Sequence, residues 1–360
     1  SPAPEPDRVE EAGELARGGP VSRFSPMTDQ DAELEALRET MRQKCRMRLF
    51  HHCKDLLGFK DMDENVHGPM CDLLEGIYRG TVKSKTPGSI ARYLILAPRG
   101  SLKTSIGTVG FPTWIATQND PPYLAGRSYG WTAPPSFNGK AGYDQRIMVG
   151  QETDDNCRRY LDSIKSNLTV NPWMSDLYGN LGPAVRGSSQ KWLTKEFNVS
   201  WRQDTIAKEA NITGTSLETA KNSFHCDVAI WDDIFSSKQT ATPQGRNQVI
   251  NFYREYIPIA DKPSVLLLIG TRWKDDDLYG HIMREERDLW TIYEERSERR
   301  VEEIAAGKSS VFWPAKYSLE VLMEMKKSMG PTLYSAQMNN DPIDEATQRF
   351  PERYFSKVMY

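Results

Sequence analysis

An apolar run, Tyr93-Leu-Ile-Leu96, leads straight into Ala97-Pro98-Arg99-Gly100-Ser101-Leu102-Lys103-Thr104-Ser105. A second run, Val228-Ala-Ile-Trp231, leads into the paired carboxylates Asp232 and Asp233. A lysine and a hydroxyl at the start of a helix, with carboxylates at the tip of a second strand, can hold a nucleoside triphosphate and its magnesium. In that chemistry the loop from Pro98 to Ser105 offers backbone N–H groups to the phosphates. Lys103 bridges the terminal phosphates, while Thr104 ligates Mg2+ and Asp232 holds it through water. Asp233 orients and deprotonates the attacking water. A third run, Ser264 to Gly270, ends in Thr271-Arg272, where Thr271 can sense the terminal phosphate.

The usual loop, G-x-x-x-x-G-K-[ST], has glycines where this chain has Ala97 and Leu102, and only Gly100 supplies flexibility inside it. For this segment alone the alternative is an ordinary strand, turn and helix with a solvated lysine and threonine. Arg99 weighs against that alternative, because a decorative turn has no use for a second cation. Asp233 stands where such sites more often carry glutamate, so the water must sit closer or a further group must help. The plain alternative for the acidic pair is a strand ending in an Asp-rich cap for the segment from Ile234 onward. Three apolar strands ending in Lys-Thr, Asp-Asp and Thr-Arg, in that order, favour the nucleotide site over both.

The elements that must position these groups alternate strand with helix. Helical spacing covers 30–58, His67–Tyr78, Lys103–Ala116, Asp154–Leu168, Thr242–Tyr256, Asp276–Glu286, Glu320–Met329 and Pro331–Met338. Further strands fit Gln145–Val149 and Phe197–Trp201. The pattern predicts an α/β fold with a mainly parallel, doubly wound sheet whose ligands bind at the carboxyl ends of the strands. Residues 1–28, rich in Pro, Gly, Ala and Glu, are expected to be a flexible tail. A helical segment over 29–80 precedes the core at 81–330, and 331–360 forms a helical connector. Residues 119–144 break every period and read as a long loop, packed on itself or touching DNA or a neighbouring subunit through Tyr123, Trp131 and Phe137.

The segments 97–105 (APRGSLKTS), 225–234 (HCDVAIWDDI), 269–283 (IGTRWKDDDLYGHIM) and 334–342 (YSAQMNNDP) resemble the large terminase subunit of tailed bacteriophages. The resemblance runs from His51 to Phe355. It implies a P-loop NTPase fold of RecA-like type and Mg2+-dependent ATP hydrolysis that drives double-stranded DNA into a procapsid. Members of that family often carry a P-R-G-x-x-K-[ST] loop and an Asp-Asp pair, so the missing glycines become a point of likeness. The implied partners are the portal protein of the procapsid, the small terminase subunit and further copies of this chain in a ring. The implied setting is the host cytoplasm, with transient docking on the procapsid. A nuclease domain normally follows this region; the chain stops at Tyr360, so ATP hydrolysis without DNA cleavage is expected. Ring motors of this kind complete the site with a cation from the neighbouring subunit, and the family's position falls at Lys221. Arg158, Arg159 and Arg202 are the other candidates, since lysine cannot make a bidentate contact. Adenine contacts are expected within Val66–Cys71. Two rivals remain: a helicase-like translocase of the same fold, and a non-hydrolysing scaffold module whose loop has lost catalysis.

Charge is distributed unevenly. The net charge is −3, but residues 1–40 carry −6 and the remainder +3. Residues 41–60 hold six Lys or Arg against one Asp, which reads equally as a modest DNA-facing lining or as a helix with a solvated basic face. The five cysteines have no C-x-x-C spacing, so reduced thiols are expected. His51-His52-Cys53 reads as a surface helix turn rather than a metal site. No apolar run has the length of a membrane span, and no signal peptide is expected.

Overall fold

The computed structural model describes residues 28–120, 134–183, 191–217, 225–258 and 260–343. Seven strands form its sheet: β1 (Ala91–Leu96), β2 (Ile147–Gln151), β3 (Glu196–Phe197), β4 (Ile212–Ser216), β5 (Val228–Asp232), β6 (Val265–Gly270) and β7 (Thr291–Glu294). Their order is β3-β4-β2-β5-β6-β1-β7. Every neighbouring pair is parallel except β3 with β4. Parallel pairing demands crossovers, and helices supply them on both faces, so the central strands are buried on both sides.

Alternation along the strands sorts the core into two layers. Tyr93, Ile95, Val149, Ile230, Leu267 and Ile269 face one cluster, together with the helices Glu64–Tyr78, Phe111–Ala116 and Asp154–Thr169. Leu94, Leu96, Met148, Trp231, Leu266 and Leu268 face the other, against the helices Pro243–Tyr256 and Leu278–Glu285. Cys45, Leu49 and Phe50 of the amino-terminal helices belong to the first layer, so that segment shares the sheet's own core. A third cluster joins Val66 to Trp313, Tyr317, Tyr334 and Met338.

The register aligns the strand tips. Leu96 lies opposite Gly270, and Asp232 opposite Ile269. The residues that follow β1, β5 and β6 therefore emerge along one edge. β6 lies between β1 and β5, which separates the loop-bearing strand from the acidic one.

Several elements differ from the sequence-based reading, each for a physical reason. β2 begins two residues late, because the Gln145 N–H closes a turn onto Gly142 O and the Arg146 N–H donates to Asp227 Oδ2, while Gly150 and Gln151 join the ladder. Of Phe197–Trp201 only Phe197 pairs; Ser200 turns to bond Leu181 instead. β4 (Ile-Thr-Gly-Thr-Ser) is additional, since threonines and glycine hide a strand that is buried throughout. The edge strand β7 and the helix Pro172–Tyr178 are additional too. His52 and Cys53 lie buried in a π-helical turn, His52–Leu56, rather than at the surface. All five cysteines are free and buried. Residues 1–27, 121–133 and 344–360, which include most of the expected tail, part of the long loop and most of the connector, fall outside the described residues.

Candidate nucleotide site at the carboxyl edge of the sheet

β1 ends at Leu96, and the chain makes two left-handed excursions before the helix begins. Gly100 has φ 77° and Leu102 has φ 62°. A Cβ on Gly100 would stand 2.5 Å from the Tyr317 hydroxyl oxygen and push it aside, and its φ is one that glycine adopts freely. Leu102 occupies a position where the usual loop has glycine. Its left-handed backbone costs about 1–2 kcal/mol, and its side chain packs against the clusters on either side of the loop. The departure from the motif thus changes the residue while keeping a conformation that glycine favours.

Behind the loop the chain is helical from Lys103 to Ala116, with a π-helical segment at Ser105–Gly110. The first N–H groups of such a helix have no intrahelical acceptor and point at whatever lies before it. Lys103 is buried, only 5% exposed, and makes no ion pair among the described residues. Ser101 is also buried, and its hydroxyl has no partner there. Donors sequestered without acceptors are costly, and an arriving anion would satisfy them.

Asp232 closes β5 and is 1% exposed. Thr104 Oγ1 donates to its Oδ1 at 3.3 Å, and Thr108 Oγ1 donates to its Oδ2 at 2.7 Å. Gln151, at the tip of β2, adds an amide donor to Oδ2 at 3.5 Å. Burial first, and then the charge of Asp233, push the Asp232 carboxyl up to about 7, against the pull of Lys103 and the two threonines. Asp233 turns the chain with φ 44°, while its N–H donates to Ile269 O at 2.9 Å. Its Oδ1 is buried with no partner among the described residues. Thr271, 5% exposed, sits just beyond β6 between the tips of β1 and β5.

The sequence-predicted set Pro98–Ser105, Asp232, Asp233 and Thr271 therefore converges on one edge. Arg99 has a different immediate role. Its guanidinium donates to Gln337 Oε1 at 2.7 Å and lies over the Trp273 ring, while its backbone N–H donates to Gln337 O at 3.1 Å. Arg272 is also committed, to buried Asp277 and to the carbonyls of Lys274 and Asp275. Lys221 lies outside the described residues. Arg202 is bound within its own loop by Asn198 and the carbonyls of Asp204 and Ala207, which removes it as a free cation. Arg158 is exposed and pairs with Asp155 at 3.6 Å. Arg159 neighbours Tyr160, whose phenol is pushed up by burial and then by the charges of Asp232 and Asp233.

Val66–Cys71 does lie against the loop. His67 packs edge-on to Trp313 at 4.5 Å, and burial lowers its pKa against contacts with Asp63 and the Ser101 backbone that raise it. The basic stretch 41–60 is largely spent on internal partners. Arg42 pairs with Glu35 and Glu39, Lys44 with Asp55, Arg46 with Asp120 and Arg48 with Asp72. Those pairs leave little of it as an open cationic lining.

Sequence reasoning does not single out Thr108, Gln151, Tyr160 or Gln337. Thr108 carries a signal, being one helical turn beyond Thr104 and on the same face. Gln337 and Asn340 stand inside the late YSAQMNNDP segment. Asn340 Oδ1 accepts from the Arg272 N–H at 3.3 Å, and Asn340 Nδ2 donates to Glu295 O at 2.8 Å. Lys316 Nζ donates to Gly100 O at 2.7 Å and the Tyr317 hydroxyl to Arg99 O at 3.3 Å. Residues 313–340 thus clasp the loop from outside.

A parallel sheet with a phosphate-type loop after β1, an acidic tip on β5 and one strand between them defines a RecA-like α/β fold. No protein-family model matches the chain, and no curated protein matches it either. Among solved structures it is similar to a point variant of S. cerevisiae Dbp5 bound to a Gle1 variant and IP6, with TM-score 0.29 and 11% identity over 57% of this chain and 44% of that one. A second match is the same Dbp5 variant bound to Nup159, the Gle1 variant, IP6 and ADP, with TM-score 0.29 and 13% identity over 62% and 52% of the two chains. The chain spans about half the length of these structures. No described helix is long and apolar enough to cross a membrane.

Proposed function

We propose that this chain is the ATP-hydrolysing motor domain of a large terminase subunit, which translocates double-stranded DNA into a viral procapsid. The observation that carries the ATPase reading is the hydrogen bond from Thr104 to Asp232, which joins the loop after β1 to the acidic tip of β5 beside buried Lys103. The order and wording of the four family-like segments support the packaging role. The portal protein, the small terminase subunit and a ring of further copies belong to that same proposal, with Lys221 or Arg159 as the cation supplied between copies.

The donor set suits the metal that travels with a nucleotide. Thr104 Oγ1 and Asp232 Oδ1 are hard oxygen donors, and Mg2+ is commonly held by one or two protein oxygens together with phosphates and water. No group of three or more His, Cys, Asp or Glu that could hold an ion occurs among the described residues, so the shell would be completed from outside the protein. When bound, the ion would neutralise charge on the phosphate oxygens.

The chain's own groups would do the rest. Lys103 and the loop N–H groups bind and orient the triphosphate. The unpartnered Oδ1 of Asp233 accepts a proton from the water that attacks the terminal phosphorus. Thr271, at the tip of the strand between, registers the loss of that phosphate and passes it to the turn held by Arg272 and Asp277. Burial of the site excludes competing water and strengthens each of these interactions.

Steady-state ATP hydrolysis with and without double-stranded DNA tests the proposal, alongside Lys103→Ala and Asp233→Asn. Loss of turnover in both variants, with nucleotide binding retained in Asp233→Asn and stimulation of the parent by DNA, is the expected result. Parent-level turnover in either variant would overturn the site. ATP turnover that favours single strands would point to the helicase-like translocase, and tight binding without turnover on an assembled ring to the scaffold.

A further inference from the structure

The two oxygens of Asp232 are held unequally. Among the described residues, Oδ2 receives the Thr108 hydroxyl at 2.7 Å and the Gln151 amide at 3.5 Å, whereas Oδ1 receives only Thr104 at 3.3 Å. Thr108 is fully buried and lies within the π-helical segment Ser105–Gly110. Single π-helical turns inside α-helices recur at functional sites because they re-aim the side chains they carry. Here both threonines, one turn apart, reach the same carboxylate. A buried threonine can be satisfied at little cost by the carbonyl one turn back. Thr108 instead spends its proton on the carboxylate that closes β5.

We propose that Thr108 is a positioning residue that sequesters Asp232 Oδ2, so that only Oδ1 is offered to the divalent cation accompanying the nucleotide. The inference rests on the nucleotide reading above and takes Asp232 as a direct ligand of the ion rather than one acting through water. Its consequence is a choice between ions. Mg2+ requires a compact octahedral shell, usually with one oxygen from each carboxylate, whereas Ca2+ accepts both oxygens in a larger, looser shell. A carboxylate with one oxygen already engaged by Thr108 and Gln151 disfavours the two-oxygen mode. Thr108 thereby sets the preference for Mg2+ over Ca2+ without touching either.

The test is the affinity of Mg2+ and of Ca2+ for the protein–ADP complex, followed by fluorescence of an ADP analogue and by thermal shift. The parent, Thr108→Val, Thr108→Ser and Gln151→Met are compared. Thr108→Val keeps the side-chain shape and removes the donor, and Thr108→Ser restores it. Metal-free ADP binding should stay unchanged in all four proteins. Thr108→Val should weaken Mg2+ by about 10- to 100-fold, the usual effect of losing an outer partner of a metal ligand. Ca2+ should be weakened less or strengthened, so that the Mg2+/Ca2+ ratio falls, with Thr108→Ser returning it to the parent value. Gln151→Met should shift the ratio in the same direction by a smaller factor, which keeps the inference testable if Thr108→Val fails to fold. An unchanged ratio in Thr108→Val or Gln151→Met, or a Thr108→Ser protein that behaves like Thr108→Val, would overturn it. A parent that binds no ADP would overturn the nucleotide reading itself, a result distinct from a parent that binds ADP while its variants show no change in ion preference.

Discussion

β5 carries an aspartate at each end, and the two live in opposite electrostatic worlds. Asp227, just before the strand, is buried, yet Arg146 and Lys140 bond both its oxygens and the Arg146 N–H adds another donor. Burial works against its charge, but those partners outweigh it and hold the carboxyl below its ordinary value. Arg146 in turn reaches Asp261, which also holds His225, so the amino edge of the sheet is a closed ionic network. Asp232, five residues on, has two hydroxyls, a long amide contact and a second carboxylate beside it, and its pKa rises to about 7. One edge is paired for stability. Among the described residues, the other has buried, unpartnered Ser101 Oγ and Asp233 Oδ1 and a carboxylate raised by burial and by a second carboxylate. The same strand therefore shows that structure alone does not require the strained end, since sequence could have paired it as it did the other.

The largest effect expected on function is at the strained edge. Lys103→Ala should lower ATP turnover on the order of 100- to 1,000-fold, the scale for removing one aimed donor from a transition state, while denaturant melting changes little. The largest effect on stability belongs to the paired edge. Asp227→Ala should cost about 3 kcal/mol in urea denaturation, because it removes the buried carboxylate shared by Lys140 and half-buried Arg146, which keeps Asp261 and Glu209. Turnover per folded molecule should survive that change, and its loss would break the division between the two edges.

Asp232→Asn should do the reverse and stabilise the metal-free protein by roughly 2–4 kcal/mol at pH 8 while abolishing turnover. The sign follows from the raised pKa. The protonated carboxyl is favoured in the fold, so its contribution is complete below the ordinary value of 3.8 and is lost as pH rises toward about 7. The stability gap between Asp232→Asn and the parent should thus widen from pH 4 to pH 7 and then level off. Asp227 has the opposite sign, its contribution being present above the ordinary value and lost as pH falls into the acid range. Lys140→Ala should have the smallest effect, under about 1 kcal/mol, because its ammonium is partly in water and Arg146 remains on Asp227.

The same contrast explains what can be read in advance. The strained edge is legible because its residues are chemically conspicuous: Lys103-Thr104 and Asp232-Asp233 each follow an apolar run whose length suits a buried strand. Helices with a clean apolar face, such as Asp154–Thr169, are readable nearly to the residue. β4 is hidden because its threonines pass for solvent-facing residues until a helix covers them. Arg99 misleads as to its immediate partner, since nothing local in Pro98-Arg99-Gly100 announces Gln337 far along the chain. Lys44, Arg46 and Arg48 look available because their acceptors, Asp55, Asp120 and Asp72, come from elements that only folding brings near. Charge pattern is local, and neutralisation is tertiary.

Gln337, Asn339 and Asn340 are buried amides that plug into the loops after β1, β6 and β7, meeting Arg99, Arg272 and Glu298. A protein trimmed before Pro331 would keep Lys103, Thr104, Asp232, Asp233 and Thr271 and still lose the wedge that sets those three loops against one another. Arg99 and the backbone N–H groups of Arg272 and Glu298 would then be left without these partners. The structural support of the candidate site thus extends through Asn340, well past the last strand of the sheet.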